Sequence, residues 1–323
     1  MSVPLELTVT VMDMQRVEAR TSDRREKSGL VQHDALRANT IRILDNWLRK
    51  TSVSRDELEV LGEHLFDTLF QGEVRALLAQ CLIETEKGTP LRLQLAFKHE
   101  AKALARYPWE YLFWRDDERG HFLSTHARLV LSRFMPSGAG DGPPGFQAAR
   151  DPDLRILLAI AEPDDKSLGP VAAQPVTDAV EQVAADLTEG KMSIGDGSAR
   201  LLCSTKVEKL EATTLDGLVE AIETFKPHVV HLIGHGRYDR DKGSGEIALL
   251  GDTATRRLRW VLDSVLKVPF LNFDPCPRLV FLHMCQSGAV DFERNFAGLA
   301  PQLIGAGVQA VVAMQHPITN AAA

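Results

Sequence analysis

Five short apolar runs in the second half of the chain constrain the fold most: Leu154–Ala161, Leu201–Cys203, Val229–Ile233, Leu279–Leu282 and Val308–Ala313. A run that is apolar at nearly every position suits a strand buried on both faces, as the strands of a parallel sheet are. Between the runs, Val176–Leu187, Leu215–Phe225, Trp260–Leu266 and Phe296–Ile304 space their apolar residues as helices do. Alternating strand and helix predicts an α/β fold, an open, mostly parallel sheet with helices on both faces. Such sheets bind ligands outside the carboxyl ends of their strands. Reactive side chains are therefore sought there.

The tract Ser137–Pro152 reads SGAGDGPPGFQAARDP. Glycine and proline at that density interrupt both helices and central strands, so the chain is divided near residue 150. Residues 1–150 are predicted as a smaller α+β region and 151–323 as the principal domain. In the first region Leu5–Val11 and Leu91–Phe97 alternate as half-buried strands, and Leu129–Phe134 is a third strand. Leu36–Leu48 and Leu58–Phe70 have helical spacing, the second preceded by the capping-box pair Ser54 and Glu57. Pro108 is predicted to open a short helical turn through Trp109; Trp109 and Trp114 are read as core aromatics. At the other end, HPITNAAA places Asn320 like a helix cap with three alanines behind it. That pattern predicts a helix cut short, and hence a fragment of a longer chain.

The formal net charge of −7, with acidic and basic residues interspersed, lacks the basic face that a polyanion needs. Neither nucleic acid nor a membrane is expected as a partner. No basic-then-apolar leader is visible and no apolar run approaches the roughly 20 residues that span a bilayer. The four cysteines, Cys81, Cys203, Cys276 and Cys285, form no close pair, which favours a reducing compartment. The expected location is cytoplasmic.

Two predicted strand ends carry reactive side chains. His235 follows Val229–Ile233 in Gly234-His235-Gly236, and Cys285 follows Leu279–Leu282 in His283-Met284-Cys285-Gln286-Ser287-Gly288. A thiol is mostly protonated at neutral pH, whereas the thiolate is the nucleophile. A neighbouring imidazole can take the proton and later give it to a leaving amine. The flanking glycines let a substrate backbone approach, and the backbone N–H groups of Gly236 and Cys285 are candidates for an oxyanion hole. Taken singly, a cysteine at a strand end is ordinarily an inert small hydrophobe, and a histidine before glycine a turn residue. The combination of two strand ends and both motifs favours catalysis, and the separation of 50 residues resembles that of the caspase signature.

Other chemistries fit less well. A nucleophile elbow needs a small residue two positions before the nucleophile, where this chain has His283. His231 and His235 would lie about 13 Å apart on a strand, so no metal site is predicted from them with His283 and Cys285. No phosphate-cradling G-x-x-x-x-G-K-[ST] occurs, and no cofactor is expected. Glu162, Asp164 and Asp165 follow the first core strand, and Asp291 and Glu293 follow the cysteine. If Asp164, Asp165 and Asp291 line the substrate pocket, a basic residue before the cleaved bond is preferred; acidic loop residues are otherwise solvated.

The segments VVHLIGHG, PRLVFLHMCQSG and FAGLAPQLIGAGVQAVVAMQHPI resemble those of CHAT domains, caspase-like domains related to caspases and separases. RYPWEYLFW followed by FLSTHARLVLSR resembles the Pro-Trp-Glu segment that precedes the family's core, and the likeness covers roughly residues 55 to 320. The resemblance implies a caspase-like sheet, a regulatory or pseudo-caspase-like first region, and a cysteine endopeptidase whose dyad falls on His235 and Cys285. It also implies a protein substrate and a regulatory partner or fused sensor module, in a bacterial defence or signalling system. Asp239–Gly245 is the expected flexible substrate loop. The alternatives are a catalytically silent signalling scaffold and an acyltransferase using the same thiol.

Overall fold

The computed structural model describes residues 4–48, 53–116, 119–134, 153–171, 173–194, 199–239, 244–271, 276–284 and 299–313. The chain divides into two compact units, Met1–Pro143 and Pro144–Ala323. The predicted boundary tract, residues 137–152, lies outside the described residues.

In the first unit β1 (Leu5–Val11), β2 (Arg16–Thr21) and β3 (Glu26–Leu30) form an antiparallel meander. Three helices follow, α1 (Ala35–Leu48), α2 (Arg55–Leu69) and α3 (Gly72–Glu86). β4 (Leu91–Phe97) returns parallel to β1. After the short α4 (Lys102–Ala105) and a hairpin of β5 (Phe113–Asp116) and β6 (Arg119–Phe122), β7 (Leu129–Phe134) joins parallel to β4. The sheet order is β3-β2-β1-β4-β7. β1 buries Leu5, Leu7, Val9 and Val11, every second residue, as its alternation requires. Ser54 and Glu57 form the capping box of α2, each side chain serving the other's backbone amide at 3.3 and 2.8 Å. Pro108 sits at the cap of a single 3-10 turn, and Trp109 is fully buried with its indole N–H on the Leu104 carbonyl at 2.9 Å.

The second unit begins with β8 (Asp153–Ile160) and α5 (Ala173–Thr188). A small hairpin of β9 (Met192–Ile194) and β10 (Ala199–Leu201) leads into β11 (Ser204–Leu210), α6 (Leu215–Phe225) and β12 (Val229–Ile233). An antiparallel ribbon of β13 (Gly236–Asp239), β14 (Ser244–Leu250) and β15 (Leu258–Leu262) comes next. The unit ends with α7 (Asp263–Leu266), α8 (Val268–Leu271), β16 (Leu279–His283), α9 (Leu299–Gly305) and β17 (Ala310–Ala313). The main sheet, in order β11-β8-β12-β16-β17, is parallel throughout. The crossovers from β8 to β11 and from β11 to β12 run in opposite directions. Right-handed connections therefore place α5 and α6 on opposite faces.

One face, with Leu157, Ala159, Val230, Leu232, Val280 and Leu282, packs against α6 to α9 and the ribbon through Leu218, Ile222, Leu266, Phe270, Leu303 and Ile247. Glycine and alanine keep the sheet's carboxyl edge tight: a Cβ on Gly234 would stand 3.0 Å from the Ala161 carbonyl oxygen.

Three expectations are corrected. The edge strand is Ser204–Leu210, not Leu201–Cys203, of which only Leu201 is in a strand, at the end of β10. Its polar sequence is tolerated because β11 pairs with a single neighbour. Trp260–Leu266 is not one helix: Trp260–Leu262 complete β15 before α7 begins at Asp263. Within the expected loop Asp239–Gly245, Asp239 belongs to β13 and Ser244 and Gly245 to β14; residues 240–243 lie outside the described residues. No helix among the described residues is long and apolar enough to cross a membrane.

Candidate active site

The strand order reverses on either side of β8, so the crevice between the carboxyl ends of β8 and β12 is the topological switch point of this sheet. Residues 161–171 leave β8 there, and His235 lies two residues beyond the end of β12. The neighbouring strand β16 runs parallel in register, Ile233 opposite His283. In the sequence His235 and Cys285 each stand two positions past that pair. Cys285 and Asp291 lie outside the described residues.

The His235 backbone is anchored to the ribbon, its carbonyl accepting from Ala248 N at 2.9 Å. In an antiparallel ladder hydrogen-bonded and non-hydrogen-bonded pairs alternate. Gly236 and Ile247 are then a non-hydrogen-bonded pair, and the Gly236 N–H is directed away from β14. The imidazole Nε2 of His235 lies 2.7 Å from the carbonyl oxygen of Gly169. A carbonyl only accepts, so Nε2 carries the hydrogen and Nδ1 keeps the lone pair of the neutral ring. The tautomer is thus set by a backbone group, and Nδ1 is the atom able to take up a proton.

Beside His235 lies a small, shallow cleft lined by Gly236 and Arg237 of β13, Gly245, Glu246 and Ile247 of β14, Met284 and Leu299. Gly236 follows His235 and Met284 precedes Cys285. Within the cleft the Glu246 carboxylate, 10% exposed, pairs with Arg237 at 2.5 Å, and the Arg237 guanidinium stacks 3.9 Å above the Trp260 ring. Asp263, buried at the start of α7, accepts from Gly245 N at 2.9 Å and holds the ribbon against the helix.

The acidic loop residues separate by use. The carboxylate of Asp165 accepts from the Ser167 hydroxyl at 2.6 Å and the Ser167 amide at 2.8 Å, bonds that hold its pKa below the usual carboxylate range. Asp164 is exposed, and its amide donates to the Arg256 carbonyl. Among the described residues no group of three or more His, Cys, Asp or Glu side chains could hold a metal ion. His231 and His283, on adjacent strands, bring their rings to 5.9 Å. Burial and the neighbouring His283 push the His231 pKa down to about 4.

Gly169 and Arg256 were not distinguishable in the sequence. Gly169 stands 66 residues from His235, and Arg256 lies in an ordinary polar turn. Only the Gly169-Pro170 pair hints that the loop bends there.

A comparison with curated proteins found no match. The family model for the CHAT domain matches residues 59–323, most of the chain. The chain therefore belongs to the CHAT-domain family, which is related to the caspase-like cysteine peptidases.

Proposed function

We propose that the chain is a cysteine endopeptidase acting through His235 and Cys285 on a protein substrate. The observation that carries this reading is the cleft at the carboxyl edge of the sheet, bounded by the residue after His235 and the residue before Cys285. A peptide laid along it runs past Gly236 and Met284, the chain neighbours of His235 and Cys285. His235 Nδ1 takes the thiol proton of Cys285 as the sulfur attacks the scissile carbonyl carbon. The Gly236 and Cys285 amides hold the oxyanion of the tetrahedral intermediate. As the carbon–nitrogen bond breaks, the imidazolium returns its proton to the leaving amine. Water, deprotonated by the same imidazole, then attacks the thioester, releasing the acid and restoring the thiol. Asp164 and Asp291 are the carboxylates we assign to favouring a basic residue before the cleaved bond; the Asp165 carboxylate is engaged with Ser167. Activity is regulated by a protein partner or fused sensor, in a defence or signalling setting, without a cofactor.

The test is cleavage of a peptide library by the wild-type chain, Cys285→Ala and His235→Ala, each assayed alone and with candidate activating partners. Cleavage after basic residues that disappears in both variants is the expected result. Cleavage that survives Cys285→Ala refutes the assignment, and no cleavage by any form under any of these conditions favours the scaffold.

A further inference from the structure

The carbonyl that sets the His235 tautomer sits on a loop with little to hold it down. Of residues 162–171, Glu162, Asp164, Lys166, Ser167, Gly169 and Pro170 are exposed and only Pro163 is buried. A loop that buries so little opens readily unless hydrogen bonds restrain it. Several of its bonds are internal: Asp165 on Ser167, Leu168 N to the Asp165 carbonyl at 3.1 Å, and Val171 N to the Glu162 carboxylate at 3.3 Å. These shape the loop without fixing it to the sheet. Two bonds that do tie it to the ribbon come from one residue. The Arg256 guanidinium Nη2 donates to the Glu162 carbonyl at 2.5 Å, and the Arg256 carbonyl accepts from Asp164 N at 2.9 Å.

Arg256 lies in the turn between β14 and β15, and that turn is rigidly built. Gly251 N closes it on the Arg257 carbonyl at 2.7 Å, and the Asp252 carboxylate accepts from the Thr255 hydroxyl at 2.5 Å and from Ala254 N at 2.8 Å. Arg256 itself has φ of 48°, in the left-handed region that favours glycine. An arginine in a place where glycine is conformationally easier points to work done by its side chain.

We propose that Arg256 is a positioning residue for His235. It clamps the backbone of the β8–α5 loop at two successive points, so that the Gly169 carbonyl stands where it keeps the hydrogen of the imidazole on Nε2 and leaves Nδ1 bare. The consequence for catalysis rests on the peptidase reading above; the effect on the imidazole does not. The clamp reads backbone atoms, at Glu162 from 94 residues away in sequence, so it does not depend on the side chains that Glu162 and Asp164 carry.

The test uses Arg256→Gly, which keeps the backbone acceptor and the left-handed turn but deletes the guanidinium, and Arg256→Lys, which keeps charge without the planar fork. The ring of His235, labelled with ¹⁵N and assigned by difference against His235→Gln, is observed at about pH 8.5, where an ordinary imidazole is neutral. The wild type should show the Nε2–H tautomer alone, Arg256→Gly a mixture, and Arg256→Lys a state between. In parallel, kcat for peptide cleavage should fall about 10- to 100-fold in Arg256→Gly with KM changed less than about twofold, as expected for a misplaced base rather than a lost substrate contact. An unchanged ring spectrum in Arg256→Gly overturns the clamp, and a changed tautomer with unchanged kcat overturns its catalytic role. Should Arg256→Gly unfold, the ring spectrum of Arg256→Lys decides in the same way. A wild-type chain that cleaves nothing removes the peptidase reading, while the ring spectra still decide the clamp.

Discussion

His231 is the residue through which pH should act most strongly on this sheet, and its replacement by phenylalanine gives a quantitative test. Its ring is 8% exposed, Nε2 is buried without a hydrogen-bond partner, and its nearest rings are Phe281 at 4.8 Å and His283 at 5.9 Å. Burial, with the neighbouring His283, lowers the pKa from 6.5 to about 4. The neutral ring is therefore the one the fold accepts. Between pH 6.5 and about 4 the unfolded chain binds the proton and the folded chain does not, so stability rises with pH across that window and is lost as pH falls through it. At about 1.4 kcal/mol per pH unit the full difference is about 3 kcal/mol, of which about 2 kcal/mol is already lost at pH 5. His283, its pKa also lowered by burial, adds to the loss with the same sign. Phe fills similar space, does not titrate and removes an unsatisfied buried nitrogen, so His231→Phe should match the wild type at pH 7.5 to within about 1 kcal/mol. The assay is amide hydrogen exchange over β12 and β16, corrected for intrinsic rates, from which the opening free energy is obtained at pH 7.5 and 5.0. The wild type should lose about 2 kcal/mol more than the variant on acidification. Equal losses in the two proteins would refute the argument that the buried imidazole is held neutral by the sheet.

Two further outcomes concern the buried thiols and the edge of the main sheet. Burial pushes the Cys81 and Cys276 thiols up to about 11, so at about pH 7.5 each should alkylate on the order of 100-fold more slowly than an ordinary exposed thiol; mass-spectrometric labelling in which Cys285 reacts no faster than Cys276 would count against a nucleophilic Cys285. Gly234→Ala would put a Cβ 3.0 Å from the Ala161 carbonyl oxygen and 3.3 Å from its Cβ, an overpacking that should destabilise the sheet edge by about 1–3 kcal/mol and reduce cleavage through displacement of His235; a variant with unchanged melting and unchanged turnover would show that the edge yields freely.

How legible each element was depended on whether its burial was symmetrical. Val229–Ile233 was read to the residue because β12 has a strand on either side and packing above and below, so all its residues but the buried His231 are apolar. β11, STKVEKL, was passed over because a strand with one neighbour keeps its lysines and glutamates in water, and the apolar triplet just before it drew attention instead. Trp260–Leu266 misled for a different reason. Three strand residues followed by one turn of helix give an apolar spacing that satisfies neither period over its length and either one over half of it. In the first unit Leu5–Val11 and Leu91–Phe97 were plain from alternation, whereas β3, EKSGL, carries too few apolar side chains to register.

The sequence by itself determined the α/β class and the placing of a histidine and a cysteine after predicted core strands, because periodicity and motif are relations among chain neighbours. Only the tertiary structure decided which strands adjoin, where the order reverses, and what touches His235. The Gly169 carbonyl reaches that ring across 66 residues and Arg256 reaches the loop across 94. Both contacts end on backbone carbonyls, which every residue type possesses, so no side chain at Gly169 or Glu162 marks the acceptor. They exist because the sheet and its ribbon bring distant loops to one edge.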